Sequence, residues 1–218
     1  MAGGQEYLPI FKKMRGAKAL VVGGGGVALR KCRGLLAVDA KVSVVAPHLC
    51  PELRKLSSVR SSQRSFRRSD LRGAALVVAA TDSLEVNLNV AGEACRLGIP
   101  VNVVDSPQHS TFIMPAILRR GPITVAVSTG GASPALARNL RDQIALHLPP
   151  QAGRHAAFLA RIRSRVLKGV ADPRARRKIL ERMAEDDVRV MIESGGVRNA
   201  YALLGELIRQ HGKSEGKK

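Results

Sequence analysis

The sequence contains no tryptophan, and aromatic residues make up only 3% of its 218 residues. Proteins that bind single-stranded nucleic acid without sequence preference stack the bases on aromatic side chains, so this scarcity argues against that class. The chain also lacks an apolar run of about 20 residues, the length that a membrane-spanning helix needs. Residues 1–6 lack the basic and then apolar stretches of a secretory leader. We therefore expect a cytoplasmic protein that is not associated with a membrane.

Cysteines and acidic residues are scarce as well. The three cysteines, Cys32, Cys50 and Cys95, have no C-x-x-C spacing, which favours buried free thiols over a disulfide framework or a zinc knuckle. The 17 acidic residues are outnumbered by 36 lysines and arginines, which gives a net charge of +19. A field of this sign attracts nucleic acid, an anionic membrane or a polyanionic small molecule. Charge alone leaves these alternatives open beside a merely solvated basic surface.

Short apolar runs alternate with helical patterns through the first half of the chain. Strands are predicted at residues 18–22, 41–46, 71–80 and 100–104, because each is a run of mostly β-branched or other apolar residues. Between them, apolar residues recur at helical spacing after the glycines at 23–26 and again over 84–95. This alternation is typical of a parallel sheet covered on both faces. The predicted fold class is therefore α/β, a doubly wound parallel sheet of the Rossmann type.

The pattern changes after residue 110. Two apolar runs, 111–118 and 123–128, lie on either side of a predicted turn at 119–122, which indicates antiparallel or swapped strands. Ser133 and Pro134 form an N-cap followed by proline at the first helical position, and this helix is expected to end before Pro149. From residue 151 onward only helices are predicted, with a new start at Asp172.

The first glycine run lies where a dinucleotide-binding turn belongs. Gly23-x-Gly25-x-x-Ala28 follows a predicted strand and opens a predicted helix, which fits the G-x-G-x-x-A form of the dinucleotide fingerprint. Such glycines let the backbone approach a pyrophosphate at a helix N-terminus, although the same turn can simply pack a helix on a strand. Residues 46–48 follow the second strand without the fingerprint's carboxylate, so this position does not select NAD over NADP.

Six strings along the chain together resemble one family. They are YLPIF at 7–11, VVGGGGVALRK at 21–31, AATD at 79–82, NVVDSP at 102–107, TFIMPA at 111–116 and VAVSTGGASPALAR at 125–138. In this order and spacing they resemble the precorrin-2 dehydrogenase/sirohydrochlorin ferrochelatase family, which forms the N-terminal part of sirohaem synthase. The resemblance covers most of residues 7–150 and is looser in the helical remainder.

The resemblance implies an enzyme of sirohaem biosynthesis. Members of the family oxidise precorrin-2 to sirohydrochlorin with NAD, and many of them also insert ferrous iron to give sirohaem. Whether this chain has retained the chelatase activity stays open. Longer members continue into a uroporphyrinogen methyltransferase domain; we expect none here, so that a separate methyltransferase supplies precorrin-2. The substrate carries carboxylates around its rim. The net charge of +19 would therefore attract this substrate, without any need for nucleic acid as a partner.

The resemblance also implies a homodimer and a division of the chain. We expect an NAD-binding Rossmann domain at 1–110, a dimerisation segment at 111–150 and a small helical C-terminal domain at 151–218. The rival interpretation is a nucleotide-sensing regulatory module without redox catalysis. Such a module would use the same glycine turn and would need no acid–base residue.

NAD is the expected cofactor. The glycine turn and the end of the second strand supply most of the candidate cofactor residues, and the resemblance adds three polar residues on or after later strands. The full set is Gly23, Gly24, Gly25, Gly26, Val27, Ala46, Pro47, His48, Thr81, Asp82 and Asn102.

Asp105 is the candidate catalytic residue. It follows the predicted strand at 100–104, at the carboxyl edge of the sheet, where ligands of open α/β folds bind. The family's shared catalytic aspartate falls on this position. In dehydrogenation it would accept a proton as hydride leaves, and in chelation it would remove pyrrole protons or guide the metal. The alternative is an aspartate that only caps a turn before Pro107.

A second glycine-rich turn precedes the helix that begins at Pro134. Its amides would hold a substrate carboxylate, and Ser133 would also cap the helix. The candidate substrate residues are Ser128, Thr129, Gly130, Gly131, Ser133 and His109. His109 would assist metal or proton transfer, or else be merely solvated. The spacing of His, Cys, Asp and Glu predicts no permanent metal site, so iron would be handled as a substrate.

Overall fold

The structure is a computed structural model that describes residues 7–212. The chain divides into two compact units, one of Met1–Met114 with Gly130–Ala132 and one of Pro115–Thr129 with Ser133–Lys218. Residues 1–6 and 213–218 lie outside the described residues. The expectation of no leader at 1–6 and the outer ends of two predicted domains fall on these residues. None of the helices in the described part combines the length and the apolar character of a bilayer-spanning segment.

The first unit is built on a five-stranded parallel sheet. Its strands are β1 (Lys18–Val22), β2 (Lys41–Ala46), β3 (Val59–Gln63), β4 (Ala74–Ala79) and β5 (Val101–Val103). Its helices are α1 (Gly26–Leu36), α2 (Pro51–Arg54) and α3 (Leu84–Arg96), and short 3-10 helices cover Arg68–Leu71 and Pro107–His109. The strand order is β3-β2-β1-β4-β5, with every pair parallel. The predicted doubly wound sheet is thereby confirmed.

Two apolar layers enclose this sheet. Ala19 and Val21 of β1 pack in one layer with the buried face of α1. Leu20 and Val22 of the same strand pack in the other layer with the buried face of α3. Because the central strands bury both faces, their sequences are continuously apolar, as parallel sheets require. Because all five strands are parallel, the turns that follow β1, β2, β4 and β5 lie at the same edge of the sheet.

Strand β3 was not predicted. Its sequence VRSSQ has a single apolar residue, and Arg60, Ser61 and Gln63 are exposed. Among residues 7–212 it lies at the edge of the sheet and pairs only with β2. Backbone hydrogen bonds rather than side-chain burial therefore hold it. Apolar periodicity finds buried strands and misses an edge strand of this composition. The strand predicted at 71–80 is also shorter than expected, because Leu71 belongs to a 3-10 helix.

The second unit combines a β-hairpin with five helices. The hairpin pairs β6 (Ala116–Arg120) with β7 (Ile123–Val127) in antiparallel fashion. The helices are α4 (Pro134–His147), α5 (Ala152–Gly169), α6 (Pro173–Arg182), α7 (Asp186–Glu193) and α8 (Val197–Gly212). The predicted turn at 119–122 was too long, because Arg119 and Arg120 pair with β7. Gly121 adopts a φ of +56°, which lets two residues close the hairpin.

The helix starts predicted at Ser133 and Asp172 are confirmed. The Ser133 hydroxyl accepts a hydrogen bond from the Leu136 amide at 3.2 Å. The Asp172 carboxylate accepts from the first-turn amides of α6 at 3.0 and 3.1 Å. These two bonds hold the pKa of Asp172 below its usual range. Capping side chains of this kind satisfy amides that have no acceptor within the helix.

The three cysteines have different environments. Cys32 is buried on α1, and burial raises the pKa of its thiol to about 12. Cys50 is partly buried, and Cys95 is exposed. The prediction of buried thiols is therefore right for Cys32 and wrong for Cys95, which follows Ala94 on α3 but lies outside the buried face of that helix.

Candidate active site

The turn between β1 and α1 lies between the ends of two neighbouring strands. Gly23 has a φ of +129°, and a Cβ added there would collide with the carbonyl oxygen of Ala80, directly after β4. A Cβ on Gly24 would collide with the carbonyl oxygen of His48, beyond β2. The fold itself therefore requires glycine at these two positions.

Gly25 and Gly26 are in a different situation. A Cβ on either residue would meet no described atom within 4 Å. Gly25 is the N-cap residue of α1, and glycine has no side-chain oxygen that could accept hydrogen bonds from the first-turn amides. Those amides and the positive end of the helix dipole therefore adjoin open space. This arrangement fits the pyrophosphate of a dinucleotide, which is predicted at this turn.

The residues after β2 form the side of the site where a ribose is expected. Ala46 is buried, Pro47 and His48 are exposed, and Val27 on α1 is half-buried. The Cys50 amide donates a hydrogen bond to the Gly24 carbonyl oxygen at 2.8 Å, which ties this segment to the glycine turn. The segment supplies no carboxylate, so the geometry favours neither NAD nor NADP.

The turn after β4 is held by a buried asparagine that the sequence analysis did not assign. Asn87 on α3 is only 5% exposed. Its side chain accepts hydrogen bonds from the Thr81 amide at 3.1 Å and hydroxyl at 2.8 Å, and donates to the Thr81 carbonyl oxygen at 2.9 Å. Thr81 is thereby fixed at the sheet edge, and Asp82 beside it is exposed. A polar residue among the apolar positions of α3 was the signal for Asn87.

Asp105 lies directly beyond β5 in an unusual backbone conformation. Its φ is +57°, in the left-handed region that few residues other than glycine, asparagine and aspartate adopt. Its side chain is exposed. The Val104 amide before it donates to the Ala79 carbonyl oxygen at 2.9 Å, and the Ser106 amide after it donates to the Val103 carbonyl oxygen at 3.2 Å. Backbone hydrogen bonds therefore hold the turn on both sides of Asp105, and its carboxylate is accessible.

The residues after this turn fold back along the free side of β5. The Ser110 hydroxyl accepts from the Val103 amide at 2.8 Å, and the Thr111 hydroxyl accepts from the Val101 amide at 2.8 Å. The Thr111 amide in turn donates to the Val101 carbonyl oxygen at 2.8 Å. These contacts brace both ends of the segment that carries Asp105.

His109 is oriented by its neighbour. The Ser106 hydroxyl, on a residue that is 6% exposed, forms a hydrogen bond of 2.8 Å with Nδ1 of His109. The His109 side chain itself is exposed. Ser106 therefore orients the imidazole of His109 four residues after Asp105.

The second glycine turn contributes residues to both units. Gly130 and Gly131 have φ values of +63° and +92°, and a Cβ on Gly131 would lie 3.6 Å from Cγ of Pro107. The structure thus brings this glycine next to the segment that carries Asp105 and His109. The Thr129 hydroxyl accepts from the Ser133 amide at 3.0 Å and donates to its carbonyl oxygen at 3.1 Å, which closes the turn. Ser128 is exposed at the end of β7.

Asn102 occupies a buried position on β5. It is 7% exposed. Its side-chain Nδ2 donates to the Phe112 carbonyl oxygen at 3.1 Å, and its Oδ1 lies 3.5 Å from Nζ of Lys31 on α1. Burial and the charge of Arg30 lower the pKa of Lys31, while the Asp105 carboxylate opposes that shift. Lys31 was not predicted as a site residue, because a lysine in a helix is usually a solvated surface residue.

Within the part of the chain that the structure describes, no three or more His, Cys, Asp or Glu side chains are grouped so that they could hold a metal ion. The charged and polar groups of the site instead belong to three turns at one sheet edge and to the segment after β5.

Fold and site define a dinucleotide-binding protein of the Rossmann type, with an accessible carboxylate at the sheet edge where the glycine turn lies. Comparison with known families narrows this class. Residues 10–116 match a family model described as "Putative NAD(P)-binding". Residues 120–147 match "Sirohaem biosynthesis protein central", and residues 151–208 match "Sirohaem synthase dimerisation region". The first unit accordingly matches a domain for a nicotinamide cofactor, and the rest of the chain is similar to the central and dimerisation regions of sirohaem synthases.

Individual relatives agree with this assignment. The chain is 44% identical over 204 residues to a "Siroheme synthase" of Methylococcus capsulatus, an alignment that covers 92% of this chain and 43% of that protein. It is 42% identical over 207 residues to a "Siroheme synthase" of Nitrosomonas europaea, covering 93% of this chain and 44% of the relative. The chain therefore spans less than half the length of these curated relatives.

A solved structure shares the fold. The protein described as "SirC, precorrin-2 dehydrogenase" superposes with a TM-score of 0.73 at 23% sequence identity, covering 93% of this chain and 100% of that one. The likeness supports the order of elements found here, with a Rossmann sheet followed by a hairpin and helices.

Proposed function

We propose that this protein oxidises precorrin-2 to sirohydrochlorin with NAD as the oxidant, in the biosynthesis of sirohaem. The observation that carries the proposal is the Asp105 turn, which holds an accessible carboxylate at the sheet edge that also bears the glycine turn. A nucleotide-sensing module would need the glycine turn and would have no use for such a carboxylate. The names of the relatives, siroheme synthase and precorrin-2 dehydrogenase, support the same substrate.

In this proposal, different residues bind the cofactor, accept the proton and bind the substrate. Gly25, Gly26 and the first turn of α1 hold the pyrophosphate, while Thr81 and Asn102 lie towards the nicotinamide end of the site. When bound, NAD supplies the acceptor for a hydride. Asp105 accepts the proton that leaves the substrate together with that hydride, so that precorrin-2 loses two hydrogens in all. The amides of the second glycine turn and His109 hold the carboxylate rim of the tetrapyrrole.

Two further parts of the proposal concern iron and assembly. The name of the relatives extends the reaction to insertion of ferrous iron, for which Asp105 would remove pyrrole protons.

The protein is proposed to act as a homodimer, and the cytoplasm, where NAD is available, is its proposed location. The model named as a dimerisation region matches residues 151–208, whereas the sequence analysis placed the dimerisation segment at 111–150. The exact extent of the dimer interface and the three domain boundaries stay predictions.

The decisive experiment is to mix the purified protein with precorrin-2 and NAD under anaerobic conditions. We expect NADH absorbance at 340 nm to appear together with sirohydrochlorin in equal amounts. Parallel reactions with NADP determine which dinucleotide the site prefers. Binding of NAD without any oxidation of precorrin-2 would favour the regulatory module instead.

The positive charge predicts a difference between the two ligands. A tetrapyrrole with carboxylates around its rim should bind at least about tenfold more weakly when salt is raised from 0.05 to 0.5 M, since exposed charges are screened over a few ångströms there. NAD affinity should fall less, because its pyrophosphate meets backbone amides. Parallel fluorescence titrations at the two salt concentrations check this. Equal salt dependence for both ligands would mean that the net charge of +19 serves another partner, and tight binding of duplex DNA would identify it.

A further inference from the structure

The Lys31 side chain is a charged group near the site to which the proposed mechanism gives no role. It lies on α1, five residues after the start of that helix, and is half-buried. Most lysines at the border of a buried face extend their ammonium groups into water. Lys31 instead approaches a buried amide, with its Nζ 3.5 Å from Oδ1 of Asn102.

Asn102 links this ammonium to the strand that ends at the candidate catalytic turn. Its Nδ2 donates to the Phe112 carbonyl oxygen at 3.1 Å, so the amide is held from two sides. It lies on β5, three residues before Asp105, which follows the end of that strand. Lys31 and the Phe112 backbone together restrain the position of β5 from the side of the sheet that α1 covers.

The charges around Lys31 support a role that involves Asp105. The charged groups that act on its ammonium are Arg30, from the same helix, and Asp105, from beyond β5. Burial and Arg30 lower the pKa of Lys31, and attraction to the Asp105 carboxylate works in the opposite direction. Placing an ammonium where burial and a like charge both disfavour it is costly for folding. That cost is offset, in part, by the interaction with Asp105.

We propose that Lys31 is a positioning residue for Asp105, holding the end of β5 through Asn102 and keeping a positive charge near the carboxylate. This inference rests on the proposed function, in which Asp105 is the proton acceptor. Lys31 acts through other residues and touches neither substrate nor cofactor in this assignment. It explains why a half-buried lysine occurs at this point of α1.

The test compares Lys31→Met, which keeps most of the side-chain length and removes the charge, with Lys31→Arg, which keeps the charge. We expect kcat for precorrin-2 oxidation to fall by about 10- to 100-fold in Lys31→Met, as for a small displacement of a catalytic group. Lys31→Arg should recover much of that loss. KM for NAD should change less than kcat in either variant, because Asn102 keeps its hydrogen bond to the Phe112 carbonyl oxygen. Arg33→Met removes the same charge from an exposed position of the same helix and should behave like the wild type.

Hydrogen exchange gives a second measurement that does not depend on the reaction. The amides of Val104 and Ser106, which anchor the Asp105 turn, should exchange faster in Lys31→Met than in Arg33→Met. Unchanged exchange together with normal kcat would overturn the inference, and so would a higher KM for precorrin-2 at normal kcat, which indicates direct substrate binding. Faster exchange in a protein whose wild type does not oxidise precorrin-2 would support the structural link and reject the proposed function alone.

Discussion

Replacing Asp105 by asparagine should lower the rate of precorrin-2 oxidation by about 10²- to 10⁴-fold, which corresponds to roughly 3 to 5 kcal/mol in the barrier. Asparagine has nearly the size of aspartate and tolerates the left-handed conformation with φ of +57° that this position adopts. It has no carboxylate that can take up a proton. The melting temperature and NAD affinity should therefore stay near wild type while steady-state NADH formation falls.

The chain offers a matched control for this substitution. Asp39 has the same φ of +57° and lies between α1 and β2, where its only ion pair is an exposed contact of 3.1 Å with Arg15 among the described residues. Asp39→Asn should leave the oxidation rate unchanged. If Asp105→Asn oxidises precorrin-2 normally yet melts well below Asp39→Asn, Asp105 only caps its turn and the site assignment is wrong.

Chelatase assays on the same Asp105 variant separate its two proposed tasks. Loss of both oxidation and iron insertion would support one shared proton acceptor. Loss of iron insertion alone would confine Asp105 to the metal step, and oxidation would then depend on the placement of cofactor and substrate rather than on this carboxylate.

Gly25→Asp should weaken NAD binding by about 10²-fold or more, because a carboxylate at the N-cap of α1 would lie against the pyrophosphate. The same substitution should leave the stability of the ligand-free protein unchanged or slightly higher. A Cβ at this position meets open space, and aspartate is a better N-cap residue than glycine by a few tenths of a kcal/mol. Calorimetric titration and thermal melting measure the two effects separately.

The neighbouring residues determine which controls are informative. Gly25→Asn adds a side chain of the same size without charge, so its loss of NAD affinity isolates the steric part. Gly24→Ala is unsuitable, because its Cβ would collide with the His48 carbonyl oxygen and disturb the fold. Unaltered NAD affinity in Gly25→Asp would remove the cofactor from this turn.

The fold was predictable where side-chain burial dictates the backbone. β1, β2, β4 and α1 follow from apolar runs and helical spacing, because the strands bury apolar residues in both layers and α1 buries its apolar face in one of them. β3 escaped prediction since its polar side chains carry no such pattern and its place is set by pairing with β2. The predicted hairpin turn was two residues too long for a similar reason. Arg119 and Arg120 have the composition of turn residues, but backbone pairing with β7 places them in β6.

The site was predictable only where a residue type has a local meaning. Gly23 and Gly24 could be found from the sequence because the turn admits no side chain. The position of Asp105 at the sheet edge could be found because it follows a strand, while its catalytic role stays a prediction. Asn87 and Lys31 depend on partners that lie six and 71 residues away in the chain. Such contacts are set by the tertiary fold. A polar residue within an apolar helix pattern marks Asn87 but does not identify its partner, and no comparable local pattern marks Lys31.

The hydroxyls of Ser110 and Thr111 have a consequence for solubility. β5 is an edge strand, and an uncovered strand edge invites addition of a strand from another molecule, which leads to aggregation. Here the outward amides of Val101 and Val103 are already taken by those two hydroxyls. The segment that braces Asp105 thus also covers one sheet edge, so a substitution that unfolds this segment would expose β5 to strand addition from another molecule.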